Sequence, residues 1–576
     1  MISITRELSE QIRQAIAGLQ AQGALAPFDL PEIKVTRAAK PELGDYATAV
    51  AMQLARLARK KPDEIAGLIA ESLPKLDYLG AVEPTGGYLN FRLSERWLQL
   101  QVNEILGSGG LFDLPTLHAG RSAQVECVSA NPTGPITVGR IRGGVIGDTL
   151  ARLLKAAGYS VSLEYYYNDA GAQIDRLAES VKARYLEKLG RLFTFPQGGY
   201  EGAYIADLAD DLVAKHGDSL ASSDDTTPFK DYAIEQIQAA QRVSLHRIGI
   251  AFDSYFSEQT LYRDGSIETV LGKLRALDLI YEARNPEKDE DYDQRPDAEE
   301  REAGATGMAT WIRMRRLRDV KKDCALIKSS GEPTYRLPDI AYHINKLDRG
   351  YDLAVNILGA DHLEEAKDVK AAVAGLGYPA ERIHALIHQF VTLKRSGVAE
   401  RMSTRKGEFV TLDELVDEVG ADAVRFFILA RSSDSQVDFD LELARKQSNE
   451  NPVFYIQNAH VRCASIAKVA AERKLSWDDG DVTLLTDARE LGLIKRLIEL
   501  PEVIEKAVEE LAPHRIAFWA HEELAGTFHP IYEEIRALHD DVPADVAKAR
   551  LKLYAAARVV LAQALALMGM SAPEQM

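Results

Sequence analysis

Cysteine is nearly absent from this sequence: Cys127, Cys324 and Cys463 are the three among 576 residues. Three thiols build neither a disulfide framework nor a cysteine-rich zinc site, and they suit a reducing compartment. No cluster of His, Cys and acid has zinc spacing, so no structural metal is expected. Long apolar runs are missing as well. No segment reaches the roughly 18 to 20 uninterrupted apolar residues of a membrane span. The N-terminal Met-Ile-Ser-Ile-Thr-Arg-Glu-Leu carries charge where a secretion signal carries an apolar core. A cytoplasmic protein with no membrane partner is the expectation. Positive charge is in deficit, 69 Lys and Arg against 87 Asp and Glu, for a net charge of −18. That argues against a surface coated in positive charge for indiscriminate nucleic-acid binding and leaves room for local basic strips. There is no G-x-G-x-x-G dinucleotide fingerprint, no G-x-x-x-x-G-K-[ST] phosphate loop and no repeat of fixed period.

At roughly 150 residues per domain the length allows three to four domains. The content of 27% charged and 46% hydrophobic residues is ordinary for globular protein and excludes wholesale disorder. Ile2, Leu8, Ile12, Ile16 and Leu19 fall on one face of an N-terminal helix. The stretch up to residue 114 mixes helical patterns, including most of 41–70, with a short strand near 88–92. From residue 123 the texture changes. Residues 125–128 read as a buried strand. Residues 138–157 read as a helix with Ile141, Val145, Ile146, Leu150, Leu153 and Leu154 on its apolar face and Gly158 as its stop. Val161, Leu163 and Tyr165 then alternate as a second strand. Strand, loop, helix and strand make one βαβ unit of a parallel sheet. Further strands are predicted near 353–358 and 386–393, and the acid- and proline-rich 285–301 reads as an exposed insertion. Beyond residue 412 almost everything is helical by periodicity, in runs such as 424–430, 493–511 and 546–567. The fold class is therefore α/β in the middle, with a mixed α+β N-terminal domain and an all-α C-terminal end.

Two segments carry chemistry. The first runs from Asn131 to Asp148. A helix that starts at the carboxyl end of a parallel strand offers free N–H groups and partial positive charge, which suits phosphate. Gly139, Gly143, Gly144 and Gly147 crowd its first turns although glycine weakens helices. Tight packing on the sheet explains them, and so does the approach of a flat ligand. The second segment is Glu400-Arg401-Met402-Ser403-Thr404-Arg405-Lys406-Gly407. Its small hydroxyls, cations and glycine suit a loop that holds triphosphate, and equally a solvated loop.

In this order the two segments resemble the HIGH signature and the KMSKS loop of class I aminoacyl-tRNA synthetases. Ser129-Ala130-Asn131-Pro132-Thr133-Gly134-Pro135-Ile136-Thr137-Val138-Gly139-Arg140 is similar to arginyl-tRNA synthetases in particular. The resemblance extends through Tyr165-Tyr166-Tyr167-Asn168-Asp169-Ala170-Gly171. It resumes at Gly331-Glu332-Pro333-Thr334-Tyr335, at Asp339-Ile340-Ala341-Tyr342-His343 and at Gly359-Ala360-Asp361-His362. It continues to Asp438-Phe439-Asp440 and Asn449-Glu450-Asn451-Pro452-Val453-Phe454-Tyr455. The resemblance implies a Rossmann-like parallel-sheet catalytic domain over 115–400 with a connective insertion, and a KMSKS-like loop with connecting helices over 401–450. It implies an N-terminal domain (1–114) that meets the tRNA elbow and a helical anticodon-binding domain (451–576). The implied reaction joins L-arginine to tRNA(Arg) through an arginyl-adenylate, using ATP and Mg²⁺, with bound tRNA needed for activation. A monomer is expected.

Carried over residue by residue, Glu126, Ser129 and Asn131 line the amino-acid pocket from the strand end, and Tyr335 and Asp339 read the guanidinium. Asp361 and His362 follow a strand, where substrate contacts are expected. Arginine is a planar, permanently charged fork that carboxylates and hydroxyls hold best, and Tyr335 and Asp339, four apart, share a helix face. Pro135, Gly139, Arg140, Met402 and Ser403 fall at the ATP. Thr137, Gly139, Arg140, Arg401, Ser403, Arg405 and Lys406 form the catalytic set. Tyr455, Gln457, His460 and Arg462 open the helical end and suit either anticodon contact or packing at a domain junction. The basic run Arg313, Arg315, Arg316, Arg318, Lys321 and Lys322 beside Trp311, and the cluster Arg56, Arg59, Lys60 and Lys61, suit either RNA contact or a solvated face.

The sequence departs from the family at the phosphates. The family's His-Val-Gly-His is Thr137-Val138-Gly139-Arg140 here. Thr137 keeps a hydroxyl donor and Arg140 brings a charged fork, with Arg142 nearby. In the KMSKS copy the two lysines are Arg401 and Thr404. Some members carry a lysine before the proline of the first motif instead, and that place is Gly134, which leaves Arg405 or Lys406 to supply the cation. Two readings follow. One is an enzyme whose arginines neutralise the phosphates; the other is a synthetase-like paralogue that binds tRNA or arginine with little catalysis. The complete arginine constellation favours the enzyme. A non-catalytic tRNA-binding module and a nucleotidyltransferase of the same fold are the remaining alternatives.

Overall fold

The protein is described from a computed structural model over residues 3–107, 117–169, 171–284, 307–399 and 410–576. It divides into two compact units. One holds Met1–His118, Ala156–Gly158 and Gln447–Met576, and the other holds Ala119–Lys155 and Tyr159–Lys446.

In the first unit the helix Ile4–Ala21 buries Leu8, Ile12, Ile16 and Leu19, the face its spacing predicts; Ile2 lies outside the described residues. An antiparallel sheet sets Thr36–Arg37, Tyr46–Thr48, Tyr88–Leu93 and Leu79–Thr85 side by side. Residues 41–70 are mostly helical, as expected. They divide into the strand Tyr46–Thr48 and the helices Val50–Ala58 and Pro62–Ser72, because Tyr46 and Thr48 pair across to Phe91 and Leu89 at the two-residue period of a strand. The sheet meets the C-terminal helices through charge. Arg37 lies 2.6 Å from Glu499, the Tyr46 hydroxyl donates to Glu502 at 3.1 Å, and Lys495 reaches Asp45 at 2.5 Å. Burial lifts the Glu499 and Glu502 carboxyls above their usual range against the pull of Arg37. The run 493–511 divides into Ala488–Leu497 and Leu500–Glu509, the second with Pro501 in its first turn.

The second unit is built on a parallel sheet of five strands: β1 (Ser122–Glu126), β2 (Ser160–Tyr167), β3 (Ser254–Ser257), β4 (Leu353–Gly359) and β5 (Ile383–His388). Their order is β5-β4-β1-β2-β3 and every pair is parallel. Helix α1 (Val138–Ala156) follows β1, α2 (Arg336–Asp348) precedes β4 and α3 (Leu363–Gly375) follows it. β1 is flanked by β2 on one side and β4 on the other, so the sheet order reverses there. In open α/β sheets ligands bind outside the carboxyl ends of the strands at that switch point.

Two insertions interrupt the sheet. Between β2 and β3 stand the helices Ala172–Lys188, Ala203–His216 and Thr227–Arg247, which close their own core around Val181, Tyr185, Ile205 and Phe229. Between β3 and β4 lies an antiparallel sheet of Ile280–Ala283, Ala309–Ile312 and Cys324–Ile327; the insertion expected at 285–301 lies outside the described residues. The basic run on this sheet faces acids. Arg313 and Arg316 pair with Asp278, Arg315 with Asp323, and Arg318 with Glu364 and Asp368, while Trp311 is 4% exposed and donates to the Ala283 carbonyl. Residues beyond 412 are not wholly helical: Val437–Asp440 pairs in parallel with Val391–Arg395 in a separate small sheet. Among the described residues no helix is long and apolar enough to cross a membrane.

The glycines of α1 separate into two roles. A Cβ on Gly147 would stand 2.5 Å from Cys127 Cβ, and one on Gly144 2.9 Å from Val128 Cγ2, so both let the helix lie close on the sheet. Replacing Gly147 by Ala is expected to cost about 1–3 kcal/mol through overpacking, read from denaturant unfolding; a neutral result contradicts the close approach. Gly139 is different. The nearest atom to its would-be Cβ is Thr137 Oγ1, at 4.0 Å.

Candidate active site

β1 ends at Glu126, and the chain then turns through Val128 (φ 67°) and Ser129 (φ 39°). Left-handed backbone is costly for a branched residue, and such outliers mark sites that the surrounding packing holds in place. The turn aims the Ser129 hydroxyl back at the strand, where it donates to Glu126 Oε1 at 2.9 Å and accepts from the Tyr166 N–H at 3.3 Å. Glu126 Oε2 accepts from Lys346 Nζ at 2.6 Å. Lys346 is 0% exposed. It also donates to Asn356 Oδ1, and its Nζ lies 4.2 Å from the centre of the Tyr342 ring. The His343 Nδ1 lies 2.7 Å from the Asp339 carbonyl oxygen, which only accepts, so Nδ1 carries the hydrogen and Nε2 accepts from Asn356 Nδ2. Burial and Lys346 hold His343 down to about 3, the neutral form this arrangement needs. A continuous hydrogen-bonded chain thus runs from Ser129 through Glu126, Lys346, Asn356 and His343 to the backbone of Asp339.

Acid collects around it. Asp339 is half-buried in the first turn of α2, and burial together with Glu365, Glu126 and Glu258 pushes its carboxyl well above the usual range, against the opposing Lys346. Glu258 directly follows β3 and is 6% exposed. Burial pushes it up to about 7, although the Tyr166 hydroxyl donates to it at 2.8 Å. Among the described residues four carboxyls stand against one buried ammonium, a shortage of positive charge that a cationic guest relieves. Tyr335 stands at the N-cap of α2, 43% exposed. Asn131 donates to Gln173 Oε1 at 2.8 Å. Past β4, Asp361 is exposed, and the His362 Nδ1 lies 3.0 Å from Glu365, a contact that raises the pKa of His362.

The nucleotide end forms where the two motifs meet. The Val138 N–H donates to the Val410 carbonyl at 3.3 Å, the Leu412 N–H donates to the Ile136 carbonyl at 2.9 Å, and Thr137 pairs with Thr411. The chain emerging from the second motif is therefore backbone-bonded to the first. Arg401, Met402, Ser403, Arg405 and Lys406 themselves lie outside the described residues. Pro135 and Thr137 are half-buried, and Arg140 is exposed, its guanidinium with no hydrogen-bond or ion-pair partner among the described residues. Arg142 is not available to phosphate as expected. It is 0% exposed, and its guanidinium donates to the carbonyls of Gln389 at 2.7 Å and Ser432 at 2.8 Å. The missing lysine at Gly134 has a structural counterpart: a Cβ there would stand 3.1 Å from Tyr204 Oη, which donates to the Thr133 carbonyl at 2.7 Å.

In the other unit, Gln457 and His460 are 7% and 3% exposed. Gln457 donates to the Ser571 carbonyl at 3.0 Å, and His460 Nδ1 lies 2.7 Å from the Pro573 carbonyl, so both hold the C-terminal tail and face away from solvent. Tyr455 is half-buried against His529 (ring centres 4.2 Å apart), and Arg462 reaches Glu533 at 3.0 Å. Glu258, Lys346, His343 and Asn356 are the site residues that motif reading missed. One signal was present in the sequence: positions 339, 342, 343 and 346 follow the i, i+3, i+4, i+7 spacing of a single helix face.

Residues 6–93 match the arginyl tRNA synthetase N terminal domain, and residues 456–576 match the DALR anticodon binding domain. The chain is 40% identical to an arginine–tRNA ligase of Dehalococcoides mccartyi (strain CBDB1), across 100% of both proteins. It is 41% identical to an arginine–tRNA ligase of Desulfotalea psychrophila, across 92% of this chain and 93% of that protein. In fold it is similar to the Thermus thermophilus arginyl-tRNA synthetase, with a TM-score of 0.76 and 23% identity over 100% of both chains.

Proposed function

Since the chain belongs to the arginine–tRNA ligases, the arginyl-tRNA synthetases of class I, we propose that the acid cluster at the β1–β4 switch point is its arginine pocket and the start of α1 its ATP site. The observation that carries this reading is the excess of carboxyl over ammonium at that point, with the second motif's flank bonded to the first motif. The guanidinium goes to Asp339 and Glu258 under Tyr335. Glu126 is braced by Lys346 and, with Ser129 and Asn131, orients the amino-acid end. The arginine carboxylate attacks the ATP α-phosphorus, a new O–P bond forms, the α–β anhydride breaks and pyrophosphate leaves. A terminal ribose hydroxyl of tRNA then attacks the carbonyl of the mixed anhydride, the acyl–phosphate bond breaks, and AMP leaves with the hydroxyl proton on its phosphate. Neither step calls for a protein base. The work is positioning and neutralising the charge that develops on pyrophosphate, by Arg140 with Arg401, Ser403, Arg405 and Lys406. Mg²⁺ enters with ATP, on phosphate oxygens and water; among the described residues no group of three or more His, Cys, Asp or Glu is arranged to hold a metal.

The rest of the reading follows the family. Residues 1–114 meet the tRNA elbow, 451–576 the anticodon region, and 115–400 with 401–450 do the chemistry, in a cytoplasmic monomer that activates arginine only with tRNA(Arg) bound. Binding should be salt-sensitive.

The pocket has a pH signature. Glu258 is protonated below about 7 and ionised above it, and only the carboxylate attracts a guanidinium whose own charge is constant. The KM for arginine is therefore expected to fall as pH rises from 6 to 8, by up to about 10-fold for one such group. Glu258→Gln should raise KM and flatten the profile. A wild-type profile that is already flat contradicts the placement of Glu258 at the guanidinium.

A further inference from the structure

Among the described residues only Thr137 Oγ1, at 4.0 Å, comes near a Cβ placed on Gly139, but one helical turn further along the same face of α1 the space is closed. A Cβ on Gly143 would stand 3.1 Å from His388 Nε2. His388 is the last residue of β5, beside β4 in the sheet, and is half-buried. Its Nδ1 lies 3.2 Å from the Gln389 carbonyl oxygen. That oxygen only accepts, so Nδ1 carries the ring hydrogen and Nε2 is left as a bare acceptor. Burial lowers the His388 pKa against the hydrogen bond to the Gln389 carbonyl, and Arg142 and Arg140 lower it further against the pull of Asp361. Neutral imidazole is therefore the form present at neutral pH. Four residues of helix rise only about 6 Å, so a flat ring laid on Gly139 lies within reach of that nitrogen.

We propose that His388 is a specificity-determining residue for the nucleotide: its Nε2 accepts a hydrogen bond from the 6-amino group of the adenine that lies on Gly139. The assignment rests on the ATP placement proposed above. Adenine offers a donor at that edge, whereas guanine offers the O6 acceptor. Two acceptors facing each other leave both unsatisfied and disfavour the wrong base. The same side chain thus closes the end of the base site and selects its occupant. No histidine of the altered first motif is involved, and the imidazole reads the base while the arginines serve the phosphates.

The experiment is tRNA-dependent pyrophosphate exchange with ATP and with purine riboside triphosphate, which lacks the 6-amino group. It uses the full chain, its His388→Leu and His388→Gln variants, and 2′- and 3′-deoxy-ATP as further arms. The wild type should prefer ATP in kcat/KM by about 3- to 10-fold, the worth of one neutral hydrogen bond. His388→Leu should lose that preference. His388→Gln, whose amide oxygen reaches the Nε2 position, should keep part of it. Each ratio is taken within one preparation, so a smaller folded fraction does not move it. A wild type without preference, a Leu variant that retains the wild-type ratio, or a variant that alters only the discrimination against deoxy-ATP overturns the assignment. The last of these would give Nε2 to the ribose. A wild type that exchanges with no nucleotide at all overturns the underlying enzymatic reading, and this assignment with it.

Discussion

Arg140→Ala is expected to lower kcat of tRNA-dependent pyrophosphate exchange by about 10²- to 10³-fold, the usual effect of losing one donor to developing charge. The same change should move the melting temperature by no more than about 2 °C. The two halves of this expectation have one origin. Arg140 stands exposed in the first turn of α1, its guanidinium with no partner among the described residues. Removing it breaks no side-chain hydrogen bond or ion pair with the described residues and takes a cation from the place where a histidine stands in the family pattern. Arg140→Lys should recover part of the rate, since a point charge replaces a fork. The matched substitution at Arg142 should behave in the opposite way. That guanidinium is committed to the Gln389 and Ser432 carbonyls and its pKa is lowered to about 10 by burial, so Arg142→Ala should lower stability before it alters chemistry. Steady-state kinetics beside thermal unfolding separate the two. An Arg140→Ala enzyme with the wild-type rate would place phosphate neutralisation wholly elsewhere.

Lys346→Met is expected to cost about 3–5 kcal/mol of folding stability, because it removes one partner of a buried pair and leaves the other charge uncompensated. Lys346 is fully buried, and it is the cation that Glu126 Oε2 meets, at 2.6 Å. The double variant Lys346→Met with Glu126→Gln should recover much of the loss, since the uncompensated charge goes with the lysine. Denaturant unfolding of the wild type, both single variants and the double variant measures the coupling. The double variant should still bind arginine poorly: the chain from Ser129 to the Asp339 backbone would be cut, and the two walls of the pocket, the β1 turn and α2, would no longer be tied. A Lys346→Met protein within about 1 kcal/mol of wild type would show that Glu126 has another counter-ion.

What the sequence made legible follows from which residues announce their partners. The βαβ unit was readable because Ile141, Val145, Ile146, Leu150, Leu153 and Leu154 all face one way and Gly158 ends the helix, and the structure forms α1 there, flanked by β1 and β2. Gly139 and Gly147 were not separable by sequence, since a helix packed on a sheet and a helix opened to a ligand both ask for a missing Cβ; only the described neighbours, Cys127 at 2.5 Å for one and nothing nearer than Thr137 Oγ1 at 4.0 Å for the other, decide it. The strand Val437–Asp440 escaped notice because four residues between helices carry too little period to read, and its partner Val391–Arg395 lies far away in sequence. Lys346 and Glu258 were invisible for a related reason. A lysine in an amphipathic helix reads as solvent-facing, and Glu258 is brought to Asp339 only after a helical insertion with its own core. Gln457 and His460 show the reverse: polar residues at the start of a helical domain suited RNA contact and packing alike, and the structure uses them to fasten residues 571 and 573.

The altered phosphate motifs make activity itself the central claim. The direct measurement is exchange of labelled pyrophosphate into ATP in the presence of arginine, with and without tRNA(Arg). Exchange that appears with tRNA(Arg) and is absent without it is the expected result. No exchange at any concentration of tRNA(Arg) would contradict the account, and it would do so however tightly the protein bound the tRNA.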